Sequence, residues 1–145
     1  MRDLLAYFDD LTRILLAIDS GVQFIRERRI DVRDNHHGSL SLALPYRDGS
    51  RLYVELEADC SADPIVWGDY GFQYLGSDGA VRFRYDNAPH HLGLPNFPHH
   101  LHLSTGEVLP DGPPYVRDVA RAIRWHLDQP TAAWRPRLLE RNGAP

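Results

Sequence analysis

The sequence predicts an α+β domain, an antiparallel meander of four to five strands with one helix at the N-terminus and one at the C-terminus. Three observations predict it. From residue 40 to residue 85, apolar side chains recur at alternate positions in runs separated by Asp-Gly turns, the pattern of hairpin-linked strands with one buried face. Near each end of the chain the spacing changes to every third or fourth residue, the period of an amphipathic helix. At 145 residues, with 43% apolar and 25% charged side chains, one globular core is the natural outcome.

In residues 3–20, Leu4, Phe8, Leu11, Leu15 and Ile18 form a single stripe, with Asp3 as N-cap and Gly21 as the residue after the helix. Residues 22–32 carry Arg26, Glu27, Arg28, Arg29 and Asp31 among Phe24, Ile25 and Ile30, which reads as a first, exposed strand in preference to a continuation of the helix past Gly21. Asp34-Asn35-His36-His37-Gly38 is a turn, its histidines read as surface residues in preference to a second contribution to a site in the 90s loop. Leu40, Leu42 and Leu44, the Asp48-Gly49 turn, then Leu52, Val54 and Leu56 predict a hairpin. Val66, Tyr70, Phe72 and Tyr74 line one face of the next strand and Trp67, Asp69 and Gln73 the other. Asp78-Gly79 then turns the chain into Val81, Phe83 and Tyr85, which alternate with Arg82 and Arg84.

This register sorts the side chains. Leu42, Val54, Phe72 and Phe83 gather on a face that the N-terminal helix can cover. Tyr53, Glu55, Glu57, Gln73, Arg82 and Arg84 gather on the other, where Glu57 and Arg82 are expected to pair for roughly 0.2–1 kcal/mol. Further on, Pro114 suits the first turn of a second helix with Val116, Val119, Ala120, Ile123 and Leu127 as its stripe and Pro130 as its stop. His126 reads as a helix-surface residue and Trp67 as a partly buried strand aromatic. Residues 131–145 read as an arginine-bearing tail of the kind that a partner orders.

Composition excludes several classes. Cys60 is alone, so there is no disulfide framework and no zinc-finger spacing. The acidic start MRDLLAYFDD does not suit a signal peptide, and no apolar run approaches membrane length, so a reducing cytoplasm is expected. A net charge of -4 argues against nucleic-acid binding by bulk electrostatics, leaving only a local arginine cluster for that work. All 16 basic residues are arginine, most simply a codon bias.

The chemistry concentrates in residues 81–102, VRFRYDNAPHHLGLPNFPHHLH, which hold five of the eight histidines. Ala88-Pro89 stops the strand, and Pro89, Pro95 and Pro98 stiffen the loop. Imidazoles on a rigid irregular segment suit proton transfer or metal ligation. In one mechanism no cofactor is needed. Two among His90, His91, His99, His100 and His102 act as base and acid on RNA, Arg84 stabilises the transition-state charge, and Asp86 orients an imidazole. If the loop folds back over the polar face, Glu55 joins that pocket. In the other mechanism, His100 and His102 lie on one side of an extended segment, about 6.5–7 Å apart. They close on a divalent metal such as zinc if His90, His91, Asp86 or Glu55 adds a third ligand.

RYDNAPHH at 84–91 and FPHHLH at 97–102 resemble the TumE-type toxins of bacterial toxin–antitoxin systems, and the order of elements over residues 38–102 is similar to that family's. The resemblance implies a small cytoplasmic toxin neutralised by a cognate antitoxin, often a helix-turn-helix DNA-binding protein. A single toxin-like α+β domain is expected over residues 1–130. The resemblance carries over Arg84, Tyr85, Asp86, Asn87, Pro89, His90, His91, Pro98, His99, His100 and His102 as its motif residues. Leu101 departs from it, standing where a basic residue is expected. A toxin acting on RNA or translation is the leading functional expectation. The alternatives are a metal-binding protein and a non-catalytic interaction module.

Overall fold

In a computed structural model of the chain, residues 3–19, 25–129 and 134–136 are described. Gly21, Pro130 and the tail lie outside them, apart from 134–136. Helix α1 spans Leu4–Leu16, and Asp3 caps it by accepting from the N–H groups of Leu5 and Ala6. Seven strands follow: β1 Glu27–Val32, β2 His37–Pro45, β3 Arg51–Asp59, β4 Val66–Leu75, β5 Val81–Asp86, β6 His100–Leu103 and β7 Val108–Leu109. Helix α2, Val116–Asp128, closes the chain order. Each strand pairs antiparallel with the next in sequence, giving one meander in the order β1 to β7.

The class is as expected, but among the described residues the sheet has seven strands where four to five were expected. The additions are β6 and β7, a four-residue and a two-residue strand inside segments that look like loop in sequence. They hold because Leu101 and Leu103 are buried on the core side of the sheet while His100 and His102 alternate to the other. At the opposite edge, β1 is a charged strand, a composition that discourages edge-to-edge pairing.

Both helices cover the same face. Leu4, Phe8, Leu11 and Leu15 of α1 and Val119, Ala122 and Ile123 of α2 share one buried cluster with Leu42, Val54, Phe72, Phe83 and Tyr85. Tyr46 donates to the Leu15 carbonyl and Trp67 Nε1 to the Tyr7 hydroxyl, tying α1 to the sheet.

Four expectations are corrected by packing. Between Leu56 and Ala58 the β3–β4 register slips, so a bulge at Gly68-Asp69 reverses the alternation. Trp67 therefore joins Tyr70 and Phe72 on the core side, while Val66 is 56% exposed. Arg82 pairs with Asp78 of its own turn, and Glu57 lies 3.8 Å from Arg33, because β3 and β5 are separated by β4. His126 is buried rather than exposed, edge-on to Tyr74 and tilted against Phe83. Pro114 precedes the N-cap Tyr115 instead of entering the first turn, and Asp118 there accepts from the Tyr115 N–H.

Candidate functional site

The face of the sheet that no described helix covers presents two transverse rows. Ser41, Glu55, Gly71, Asp86 and His100 stand opposite one another across β2 to β6. Beside them run Tyr53, Gln73, Arg84, His102 and Val108 across β3 to β7. Register alone thus puts a carboxylate, a guanidinium and two imidazoles side by side at β5 and β6. The third imidazole, His91, arrives from the loop between those strands.

Asp86 is the hub of this group and is only 4% exposed. Its Oδ2 accepts from Arg84 Nε at 2.6 Å and lies 3.5 Å from His102 Nε2. Its Oδ1 accepts from the Ala88 N–H at 3.1 Å and lies 2.7 Å from His100 Nε2. Arg84 is steadied by a second donation, Nη1 to Gln73 Oε1 at 3.1 Å. Its guanidinium crosses Gly71, where an added Cβ would come within 2.8 Å of Nη2. Glycine is required there for close approach, not for backbone conformation.

The three imidazoles form a triangle, with ring centroids 4.8 Å apart for His91–His100 and His100–His102 and 5.6 Å for His91–His102. Their ligating atoms lie within 4.8 Å of one another, a donor set that suits zinc rather than magnesium. His100 is fully buried, and its Nδ1 sits 2.9 Å from the Pro98 carbonyl. A carbonyl only accepts, so Nδ1 carries the hydrogen and Nε2 is the atom turned toward Asp86. Despite the 2.7 Å separation, that contact lacks hydrogen-bond geometry, and Nε2 has no hydrogen-bond partner among the described residues. Burial holds the His102 imidazole below its ordinary pKa, partly opposed by Asp86.

The loop is anchored where it leaves β5. Asn87 accepts from the Tyr70 N–H at 2.9 Å and donates to the Gly68 carbonyl at 3.0 Å, spanning the β4 bulge. The bulge frees those two backbone groups from the ladder, and the Asn87 amide satisfies both.

Other expected residues stand apart from the triangle. His90 is exposed on a turn. His99 faces the helix side, where its ring stacks on Tyr70 and its Nδ1 lies 3.0 Å from the tyrosine hydroxyl. There it helps line a cavity with Tyr7, Trp67 and Asn96. Glu55 shares the Asp86 row, but its carboxylate accepts from Ser41 at 2.6 Å. His37 is engaged by Asp34 and Asp59. Leu101 is fully buried between Tyr85 and Leu109, so the missing basic residue takes nothing from this face. Gly71 is absent from the sequence-based expectation, and Gln73 is expected there on this face without a role in the site. Their signal was register, since both lie on β4 opposite Arg84 and Asp86.

No helix among the described residues is long and apolar enough to cross a membrane. Comparison with curated proteins and with solved structures gives no match. The model of the family described as Toxin TumE matches residues 12–130, which reaches from α1 through α2 and takes in the whole Asp86 cluster. A match over that much of the chain assigns the protein: it belongs to the TumE family of toxins.

Proposed function

We propose that this toxin acts on RNA, cleaving the chain by proton transfer between imidazoles without a required metal. The observation that supports it is the convergence of Arg84, His91, His100 and His102 around one buried carboxylate on a face that no described helix covers. His102, held neutral by burial, takes the proton from a ribose 2′-hydroxyl. The 2′-oxygen attacks phosphorus, the bond to the 5′-oxygen breaks, and His91 gives that oxygen a proton. A 2′,3′-cyclic phosphate and a 5′-hydroxyl result. Arg84, fixed by Asp86 and Gln73, meets the charge that builds on the phosphoryl oxygens. His100, pinned at Nδ1, positions Asp86 and the neighbouring rings.

A cognate antitoxin is the partner that such a toxin requires, and a helix-turn-helix protein encoded beside it is the form we expect. Expression of the chain without antitoxin should arrest growth. His91→Ala or His102→Ala should reduce RNA cleavage by about 10²–10⁴-fold and relieve the arrest. Arrest that persists unchanged in both variants, or RNA products without the cyclic phosphate end, would sink this reading.

A further inference from the structure

We propose that His91, His100 and His102, with Asp86, form a binding site for a divalent metal ion of the zinc class, and that occupancy silences the toxin. The second half rests on the proton-transfer reading above; the first half does not.

Four features carry it. The three imidazoles present ligating atoms within 4.8 Å of one another. Zinc held at about 2.0–2.1 Å from each nitrogen needs them about 3.3 Å apart, so His91 and His102 close on the pinned His100 when the ion binds. His100 supplies the second feature. Its side chain is only 2% exposed and its Nε2 lacks a hydrogen-bond partner among the described residues, although it faces a carboxylate oxygen at 2.7 Å. With Nδ1 committed to the Pro98 carbonyl, that nitrogen offers a lone pair to a shared cation. The third is the Nδ1–carbonyl contact itself, the outer partner that metal-bound histidines commonly have. Finally, the two oxygens of Asp86 are divided. Arg84 holds Oδ2, while Oδ1, which also accepts from the Ala88 N–H, faces His100 and completes three nitrogens and one oxygen.

Such a donor set discriminates. Imidazole nitrogens favour zinc and its neighbours, whereas magnesium seeks oxygen ligands and retains water. Ligation occupies the lone pairs of His91 and His102 on which proton transfer depends, so the loaded protein loses both its base and its acid. Cleavage and metal binding exclude each other at this site.

The test uses untagged, metal-stripped full-length protein titrated calorimetrically with zinc chloride, then with magnesium chloride. One zinc per chain and no magnesium response are expected. His91→Ala, a loop substitution that leaves the strands in place, should weaken zinc uptake by about 100-fold, at least as much as loss of an outer partner costs. His90→Ala, at the exposed neighbour, should bind as the parent does. Cobalt in place of zinc should give the intense visible absorption of a four-coordinate ion. Zinc uptake by the parent no tighter than by the His91→Ala/His102→Ala double variant overturns the site. RNA cleavage is then compared with and without bound zinc. Loss of cleavage on loading supports the silencing. Cleavage that appears only on loading keeps the site but overturns both the silencing and the metal-free mechanism. Zinc uptake without cleavage in either state keeps the site but overturns the ribonuclease reading and, with it, the silencing.

Discussion

Asp86 is the residue on which the arrangement turns, because among the described residues its carboxylate joins Arg84, His100 and His102. Replacing it by Asn keeps the shape but removes the charge that holds the guanidinium and leaves a buried contact badly matched. Asp86→Asn is therefore expected to cost about 1–3 kcal/mol, read from urea unfolding, and to abolish growth arrest. Gly71→Ala separates activity from stability at the same spot. Its methyl group would meet the flexible end of Arg84 rather than backbone, so the sheet persists while the guanidinium is displaced. Cleavage should fall by up to about 10²-fold with the thermal midpoint nearly unchanged. A large loss of stability instead would mean that the backbone, not the arginine, had moved.

At the scale of elements, the site depends on how β4, β5 and the histidine loop are joined. Asn87 bridges the β4 bulge by two hydrogen bonds, so Asn87→Ala removes both. The expected cost is about 1–3 kcal/mol, with the Tyr70 amide exchanging its hydrogen faster than the rest of β4. The same bulge explains why strict alternation misplaced Val66 and Trp67. A two-residue period cannot register an extra residue, and the local sequence marks one only by Gly68-Asp69. Helix α2 teaches a similar lesson. Val119, Ala122, Ile123 and His126 stand at i, i+3, i+4 and i+7, so the spacing put the histidine on the buried stripe. Treating it as a surface residue weighted polarity over position.

For the molecule as a whole, that buried histidine makes stability depend on pH. Burial pushes the His126 imidazole below its ordinary pKa, Arg82 adds to the effect, and the Ala122 carbonyl only partly offsets it. The unfolded chain then binds the proton more readily than the folded one. Stability is full above the unfolded value near 6.5 and is lost as pH falls through the depressed folded value. Urea midpoints measured from pH 7.5 down to pH 5 should decline for the parent and decline less for His126→Leu. Equal slopes would place the acid sensitivity in other groups.

Sequence by itself determined the α+β class, both helices with the Asp3 cap, the hairpin meander, the division of the strands into an apolar and a polar face, and the family. These follow from periodicity, turn chemistry and a long motif, all of which are local along the chain. Tertiary structure alone decided that β6 is a strand and that His91 folds back to meet it while His90 and His99 do not. The physical reason is that neighbouring residues in a proline-rich loop carry no period. Which imidazole turns inward is set by the Asp86 carboxylate, the Pro98 carbonyl and the Tyr70 ring, contacts that exist only once the sheet has formed.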